Sequence, residues 1–259
     1  MVIDCVRQGW NSTILPFDGL KLLYDSTLST DVVDMLKLYC PLSIMHYYER
    51  KKPFVIVHVA ASLDGKMATH LGDSKWIGNQ ENLVHSHRLR ALVDAVLVGA
   101  HTVKNDEPSL NVRHVKGENP TRLVISNHSK DFTGLKEIED IKTFLVREEC
   151  YKIEEIYGRF DEIIYYTGED KEEKVRDLMH ELYDKGIKTI LIEGGSETIS
   201  NLFSSGGVDI FQIHYAPIIL GSGKGIVDLP LIERISDASS LKDPFWTQVG
   251  DSFMITAGI

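Results

Sequence analysis

A chain of 259 residues, 43% of them hydrophobic, is long enough to bury one large core. Its formal net charge of −10 repels polyanions at long range, which argues against a nucleic-acid partner, and no apolar run reaches the roughly 18 residues that cross a bilayer. Cys5, Cys40 and Cys150 are scattered without C-x-x-C spacing, and Asp4 and Arg7 interrupt any signal-peptide pattern, so a soluble cytoplasmic protein in a reducing compartment is expected.

Residues 1–52 read as an appendage to one catalytic domain over 53–259. Thr30 is placed to cap a short helix carrying Val32, Val33, Leu36 and Tyr39 on one face, and Pro41 is expected to stop it. The run Arg50-Lys51-Lys52-Pro53 marks the boundary. Beyond it, short β-branched runs alternate with amphipathic segments, the pattern of an α/β domain. Strands are expected at Phe54–Ala60, Ala95–Gly99, Arg122–Ser126, Thr143–Val146, Glu162–Tyr166, Thr189–Glu193, Ile210–Ala216 and Phe245–Thr256. Helices are expected at Asn79–Val93, Lys171–Lys185 and Ser196–Ser204, the last two ending at glycines.

Several segments carry groups with chemical capacity. Ser62-Leu63-Asp64-Gly65-Lys66 follows the first strand and reads by itself as an Asp-Gly turn, although small Ala60 and Ala61 admit a flat ligand to the backbone. Asp73-Ser74-Lys75-Trp76 offers a hydroxyl, a cation and an aromatic surface; a buried tryptophan explains Trp76 equally well. His85 and His87 stand two apart on a helix and point to different sides, so they do not chelate a metal together, and no metal is expected. The polar run Gly99 to Arg113 follows a buried strand, where ligands of open α/β sheets bind, or is an ordinary surface loop. Glu193-Gly194-Gly195-Ser196 joins a strand to a helix; such a turn aims backbone N–H groups and the positive helix end at an anion, or serves as a mere connector. Gly221-Ser222-Gly223-Lys224-Gly225 lacks P-loop spacing and reads as a flexible loop, and no G-x-G-x-x-G follows the first strand.

In order and spacing, Ala60 to Lys66, Asp73 to Ile77, Thr102 to Arg113 and Glu193 to Ser196 resemble the pyrimidine reductase family of riboflavin biosynthesis. This family is homologous to the C-terminal domain of the bifunctional deaminase/reductase. The resemblance covers roughly residues 54–256. It implies a three-layer, dihydrofolate-reductase-like α/β fold with a mostly parallel mixed central sheet flanked by helices, NADPH as cofactor, and a homodimer. The implied reaction converts the ribosyl group of a pyrimidine ribosylamine 5′-phosphate to a ribityl chain. Positions matching the family's cofactor site are Ala60, Trp76, Thr102, Asp106, Ser126, Gly195, Ser196, Glu197, Thr198, Ile199, Ser200 and Asn201; those matching its substrate site are Ser74, Arg90, Leu110, Arg113 and Glu193. On this alignment Arg90 and Arg113 would clamp the 5′-phosphate and Glu193 would accept from pyrimidine N–H groups. Lys66 is the candidate proton donor at the reacting ribose. The H-x-E and P-C-x-x-C patterns of a zinc deaminase do not occur, so deamination is not expected, and Asn105-Asp106-Glu107-Pro108 departs from the family around its acidic position. The alternatives are a reductase of another pyrimidine or pterin-like substrate, and a catalytically silent nucleotide-binding module.

Overall fold

The computed structural model describes residues 50–259 except Trp76, Ile153 and Glu154, together with helical positions Met35, Leu36, Leu38, Tyr39 and Leu42. Thr30, Val32, Val33, Pro41, Cys5, Cys40 and Trp76 lie outside the described residues. Leu42 is helical although it follows the proline expected to end that helix.

In chain order the elements are β1 (Phe54–Ser62), β2 (Lys66–Ala68), α1 (Gln80–Arg90), β3 (Ala95–Gly99), α2 (Ala100–Asp106), β4 (Thr121–Ile125), β5 (Thr143–Glu148) and β6 (Glu162–Tyr166). There follow α3 (Lys171–Asp184), β7 (Thr189–Ile192), α4 (Ser196–Ser204), β8 (Ile210–Ala216), β9 (Lys224–Gly225), β10 (Lys242–Val249) and β11 (Ser252–Gly258). Nine strands form one sheet in the order β10-β11-β8-β1-β7-β3-β4-β5-β6. From β8 to β6 every neighbour is parallel, whereas β11 runs antiparallel to both β8 and β10. β7 is inserted between β1 and β3, so the turn that follows it emerges at the centre of the sheet's carboxyl edge.

Period-two alternation on β1 shows why the sheet is covered on both faces. Val55, Val57, Val59 and Ala61 pack with Leu178, Met179 and Leu182 of α3 and Ile199 and Leu202 of α4. Phe54 and Ile56 face the other way, with Leu89 of α1, Val103 of α2 and the helical positions Leu38, Tyr39 and Leu42. Three layers result: helices, sheet, helices. The caps follow from sequence. Asn79 accepts from the Asn82 N–H at 2.8 Å to start α1, and Asp170 accepts from the Glu173 N–H at 2.8 Å to start α3. Asn79 also donates to the Val249 carbonyl at 2.8 Å and so fastens α1 to the β10–β11 hairpin.

Four expectations are corrected. The run Phe245–Thr256 is not one strand: Gly250, at φ +64, opens a hairpin turn between β10 and β11. The polar stretch after β3 is not a loop at first but the short helix α2, closed by left-handed Glu107 at φ +44. The first helix is shorter than expected and ends at Arg90, with Ala91 as its cap. The glycine-rich loop at 221–225 is tied down, because β9 pairs with β2 and the Asp64 carboxylate accepts from the Leu220 and Gly221 N–H groups at 3.0 and 2.7 Å. The Ser62 side chain in first place, together with these two N–H groups, holds the Asp64 carboxyl down at about 2.

Past β9 the chain leaves its own core. Residues 231–240 are exposed throughout, with Leu231 95% and Ile235 89% accessible, and Trp246 on edge strand β10 is 59% accessible.

Candidate active site

The carboxyl ends of β1, β3, β4 and β7 share one edge of the sheet, and most of the residues singled out from sequence lie there. At its centre is the turn after β7. Gly194 and Gly195 take φ values of +84 and +82, a left-handed conformation that L side chains adopt at a cost. A Cβ at Gly195 would stand 3.4 Å from the Thr198 hydroxyl and 3.6 Å from the Thr102 hydroxyl, and one at Gly194 would stand 3.6 Å from Thr102. The missing side chains therefore leave a concavity walled by two threonine hydroxyls. Helix α4 starts at this point with no side-chain cap; its first ladder bond is Ile199 N–H to the Gly195 carbonyl at 3.0 Å. The N–H groups before it have no partner within the helix ladder, as at any helix start.

Within the run expected to hold a cofactor, roles divide by helix face. Gly195, Ser196 and Thr198 belong to the turn and the first exposed face. Ile199 is fully buried in the core. Ser200 donates to the Ser196 carbonyl at 2.6 Å and accepts from the Asp228 N–H at 2.7 Å, so it braces the chain beyond β9. Glu197 and Asn201 are exposed. Ser126 closes β4, with its hydroxyl accepting from the Ser129 N–H at 3.1 Å, and Ala60 lies near the end of β1 opposite His214.

Asp106, the last residue of α2, is one of the titratable groups perturbed here. Burial raises its carboxyl above the usual range and Asp73 adds to that, while Lys75 opposes. The Asp73-Ser74-Lys75 segment lies beside α2: a Cβ at the preceding Gly72 would stand 3.6 Å from Asn105 Nδ2. Ser74 is half-buried there, beside an Asp73 carboxylate that accepts from the Lys75 N–H at 3.2 Å. Lys66 follows the Asp64 turn on β2, and its ammonium makes no hydrogen bond or ion pair with the described residues.

Arg90 is used differently from its expected part as half of a phosphate clamp. Its Nε donates to Glu193 Oε1 at 2.7 Å, one terminal nitrogen donates to Oε2 at 2.5 Å, and the other donates to the Asn111 carbonyl at 3.1 Å. All three nitrogens are engaged in a bidentate pair with both side chains mostly buried. Burial pulls the guanidinium pKa down, but the charge and hydrogen bonds of Glu193 more than offset it. Arg113 is exposed and spends only one terminal nitrogen on Asn111 Oδ1, at 2.8 Å, so donors remain for a ligand. Leu110 sits at φ +54 and is 2% accessible, packed in the core.

Sequence reasoning did not find the supporting layer. His58 on β1, Gln212 and His214 on β8, and Asn82 and His85 on α1 form a buried polar strip beneath the edge. Tyr39 Oη lies 2.6 Å from His85 Nδ1, Gln212 Oε1 lies 3.0 Å from His85 Nε2, and Asn82 Oδ1 lies 3.0 Å from His58 Nε2. His87 turns the other way and accepts the Arg113 N–H at Nδ1, at 3.1 Å. The only signal was polar residues at alternate positions within strands that otherwise read as apolar.

A three-layer α/β sheet with a glycine turn and an arginine–glutamate pair on its carboxyl edge places the chain among the α/β proteins whose sites lie at the carboxyl ends of the strands. Residues 53–253 match the RibD C-terminal domain, and the chain belongs to that family. It is 29% identical over 213 residues to riboflavin biosynthesis protein RibD of Aquifex aeolicus, covering 81% of this chain and 58% of that protein. It is 30% identical over 200 residues to the 2,5-diamino-6-ribosylamino-4(3H)-pyrimidinone 5′-phosphate reductase of Methanothermobacter thermautotrophicus, covering 74% of this chain and 91% of that protein. Among solved structures, the deaminase/reductase of Thermotoga maritima superposes with a TM-score of 0.68 at 26% identity, over 88% of this chain and 62% of that one. The chain thus spans somewhat over half the length of the RibD relatives it matches.

Proposed function

We propose that this chain is an NADPH-dependent oxidoreductase of riboflavin biosynthesis, reducing the ribosyl group of a pyrimidine ribosylamine 5′-phosphate to the ribityl form. The observation that carries the reading is the meeting, at one sheet edge, of an anion cradle at Gly194-Gly195 with an acceptor and a cation suited to the substrate, Glu193 and Arg113. Family membership and the activities for which the relatives are named support it.

The concavity that a Cβ would fill, the two threonine hydroxyls and the uncapped start of α4 fit the pyrophosphate of a dinucleotide. Ala60, Thr102, Asp106, Ser126 and the Gly195–Thr198 stretch would hold it. When bound, NADPH supplies the hydride. The chain's own residues bind and orient the other reactant. The Glu193 carboxylate, fixed in direction by Arg90, accepts from pyrimidine N–H groups, and Arg113 takes the 5′-phosphate through its uncommitted donors. Lys66 stands as the proton donor to the ribose. Orientation is the main contribution of such a site. The enzyme is expected to work in the cytoplasm as a homodimer, in which the apolar side chains of Leu231, Ile232, Ile235 and Trp246 would be covered by a second copy.

Following nicotinamide absorbance while the deaminated and non-deaminated pyrimidine ribosylamine phosphates are offered separately tests the activity and selects the substrate. NADPH binding without turnover of either compound would leave a silent nucleotide-binding module. Gly195→Val is expected to weaken NADPH binding at least tenfold, from a left-handed β-branched residue costing about 1–3 kcal/mol and a Cβ in the cradle. An unchanged affinity in the folded variant removes the cofactor assignment. Lys66→Ala is expected to lower kcat by about 100-fold with NADPH affinity unchanged, the lower range for losing a positioned acid. A kcat within twofold of the parent would take Lys66 out of the chemistry.

A further inference from the structure

The stretch after Leu110 contains a residue that no sequence motif marked. Asn111 holds two guanidinium groups at once: its carbonyl oxygen accepts from Arg90 at 3.1 Å, and its side-chain Oδ1 accepts from Arg113 at 2.8 Å. The same stretch is pinned from α1 a second time, since His87 Nδ1 accepts the Arg113 backbone N–H at 3.1 Å. His87 and Arg90 are three residues apart on α1 and therefore share a face. One face of a helix thus grips the main chain on both sides of Val112, while the Asn111 side chain reaches on to the exposed guanidinium.

We propose that Asn111 is a positioning residue for substrate: it aims the Arg113 guanidinium at the phosphate and ties that aim to the Arg90–Glu193 pair facing the ring. The inference rests on the reading of Arg113 and Glu193 as substrate ligands. An exposed arginine samples many rotamers, and fixing it before binding lowers the ordering cost charged to affinity. A single hydrogen bond from Arg113 to Asn111 leaves the remaining N–H groups of its fork for phosphate oxygens. His87 suits its part by being neutral. Burial, with Arg90, Arg113 and His114 nearby, brings its pKa down to about 3, so Nδ1 keeps the lone pair that receives the Arg113 N–H. Its ring packs edge-on against His114 at 4.6 Å. Asn111 joins two parts of the substrate site that are otherwise separate, the ring acceptor and the phosphate cation.

Asn111→Ala removes the Oδ1 contact and retains the carbonyl that serves Arg90, which makes it the selective test. The expected result is a KM for the pyrimidine ribosylamine phosphate raised about tenfold, about the worth of one charge-assisted hydrogen bond, with kcat within twofold and NADPH affinity unchanged. Because Asn111 acts through Arg113, adding Asn111→Ala to Arg113→Ala should cost nothing further. Losses that add independently, an unchanged KM in the folded variant, or a fall in kcat at constant KM would each overturn the proposal. Titration with ribose 5-phosphate in the presence of NADPH keeps it separate from the proposed activity. If the parent chain turns over neither pyrimidine, the functional reading fails, and the effect of Asn111→Ala on ribose 5-phosphate binding still decides the role of Asn111. Unfolding of the same variant in urea, expected within about 1 kcal/mol of the parent, distinguishes lost aim from lost structure.

Discussion

Replacing Glu193 with alanine is expected to lower the free energy of unfolding by about 3–5 kcal/mol and to abolish turnover. The large stability effect comes from Arg90, which would stay mostly buried with one neutral acceptor, the Asn111 carbonyl, in place of a bidentate carboxylate. Urea unfolding of the single variant measures it. The double replacement Arg90→Met with Glu193→Met should recover most of the stability, because a well-packed apolar pair avoids desolvating two charges, but should remain inactive. A single variant that loses less than about 1 kcal/mol would show that the pair contributes little to the fold and that water already reaches it.

Acid is expected to destabilise the protein well before its carboxylates titrate. Burial holds the His85 and His214 rings down to about 4, and burial, followed by the charges of His85 and His214, holds His58 well below the ordinary histidine value of 6.5. A ring that resists protonation in the folded chain takes up its proton more readily when unfolded. The unfolded state therefore gains as pH falls through 6.5, and the loss is complete only near 4 for His85 and His214. Each of these two rings contributes about 3 kcal/mol to the loss if it titrates alone. Their surroundings do not cancel the effect. Arg88 opposes protonation of His85 and Arg90 that of His58, the His58 and His85 rings lie 4.9 Å apart, and only Asp251 and Glu81 favour a charge on His214. Asp64, held at about 2, contributes in a lower window, so its stabilisation persists until the pH falls below the usual carboxylate range. Unfolding free energies between pH 7.5 and 4.5 test the point, and a flat profile there would mean that the strip opens to water at little cost.

Much of the architecture was legible because buried parallel strands are short, β-branched and bounded by glycine or a cap. The expected limits of Ala95–Gly99, Glu162–Tyr166, Ile210–Ala216 and the helix Ser196–Ser204 agree with the structure residue for residue. The hairpin of β10 and β11 was missed although Gly250-Asp251 is a turn signal, because strand residues on both sides made one continuous pattern. Helix α2 was missed because His101, Lys104, Asn105 and Asp106 leave it with Val103 as its only buried residue, too little for a visible period. The site was legible as a set of motifs but not as a wiring. Arg90 and Glu193 are 103 residues apart, and nothing in either local sequence says that each is the other's partner. Asn111 escaped notice for a related reason: half of its action runs through a main-chain carbonyl, which any residue would supply.

The strand order also has a consequence for how the molecule comes into being. β1 is made early, yet both of its partners, β7 and β8, lie more than 120 residues further along, and β7 is also the strand that joins β1 to β3. Until Thr189 and the residues after it have been synthesised, β1 has neither neighbour, and β3, although it can pair with β4, has its other edge open. Such distant pairings make folding slow and leave a growing chain dependent on protection from its neighbours. The glycine turn at 194–195 arrives with the strand that closes this gap, so the joining of β1 to β3 and the formation of the proposed cradle are one event.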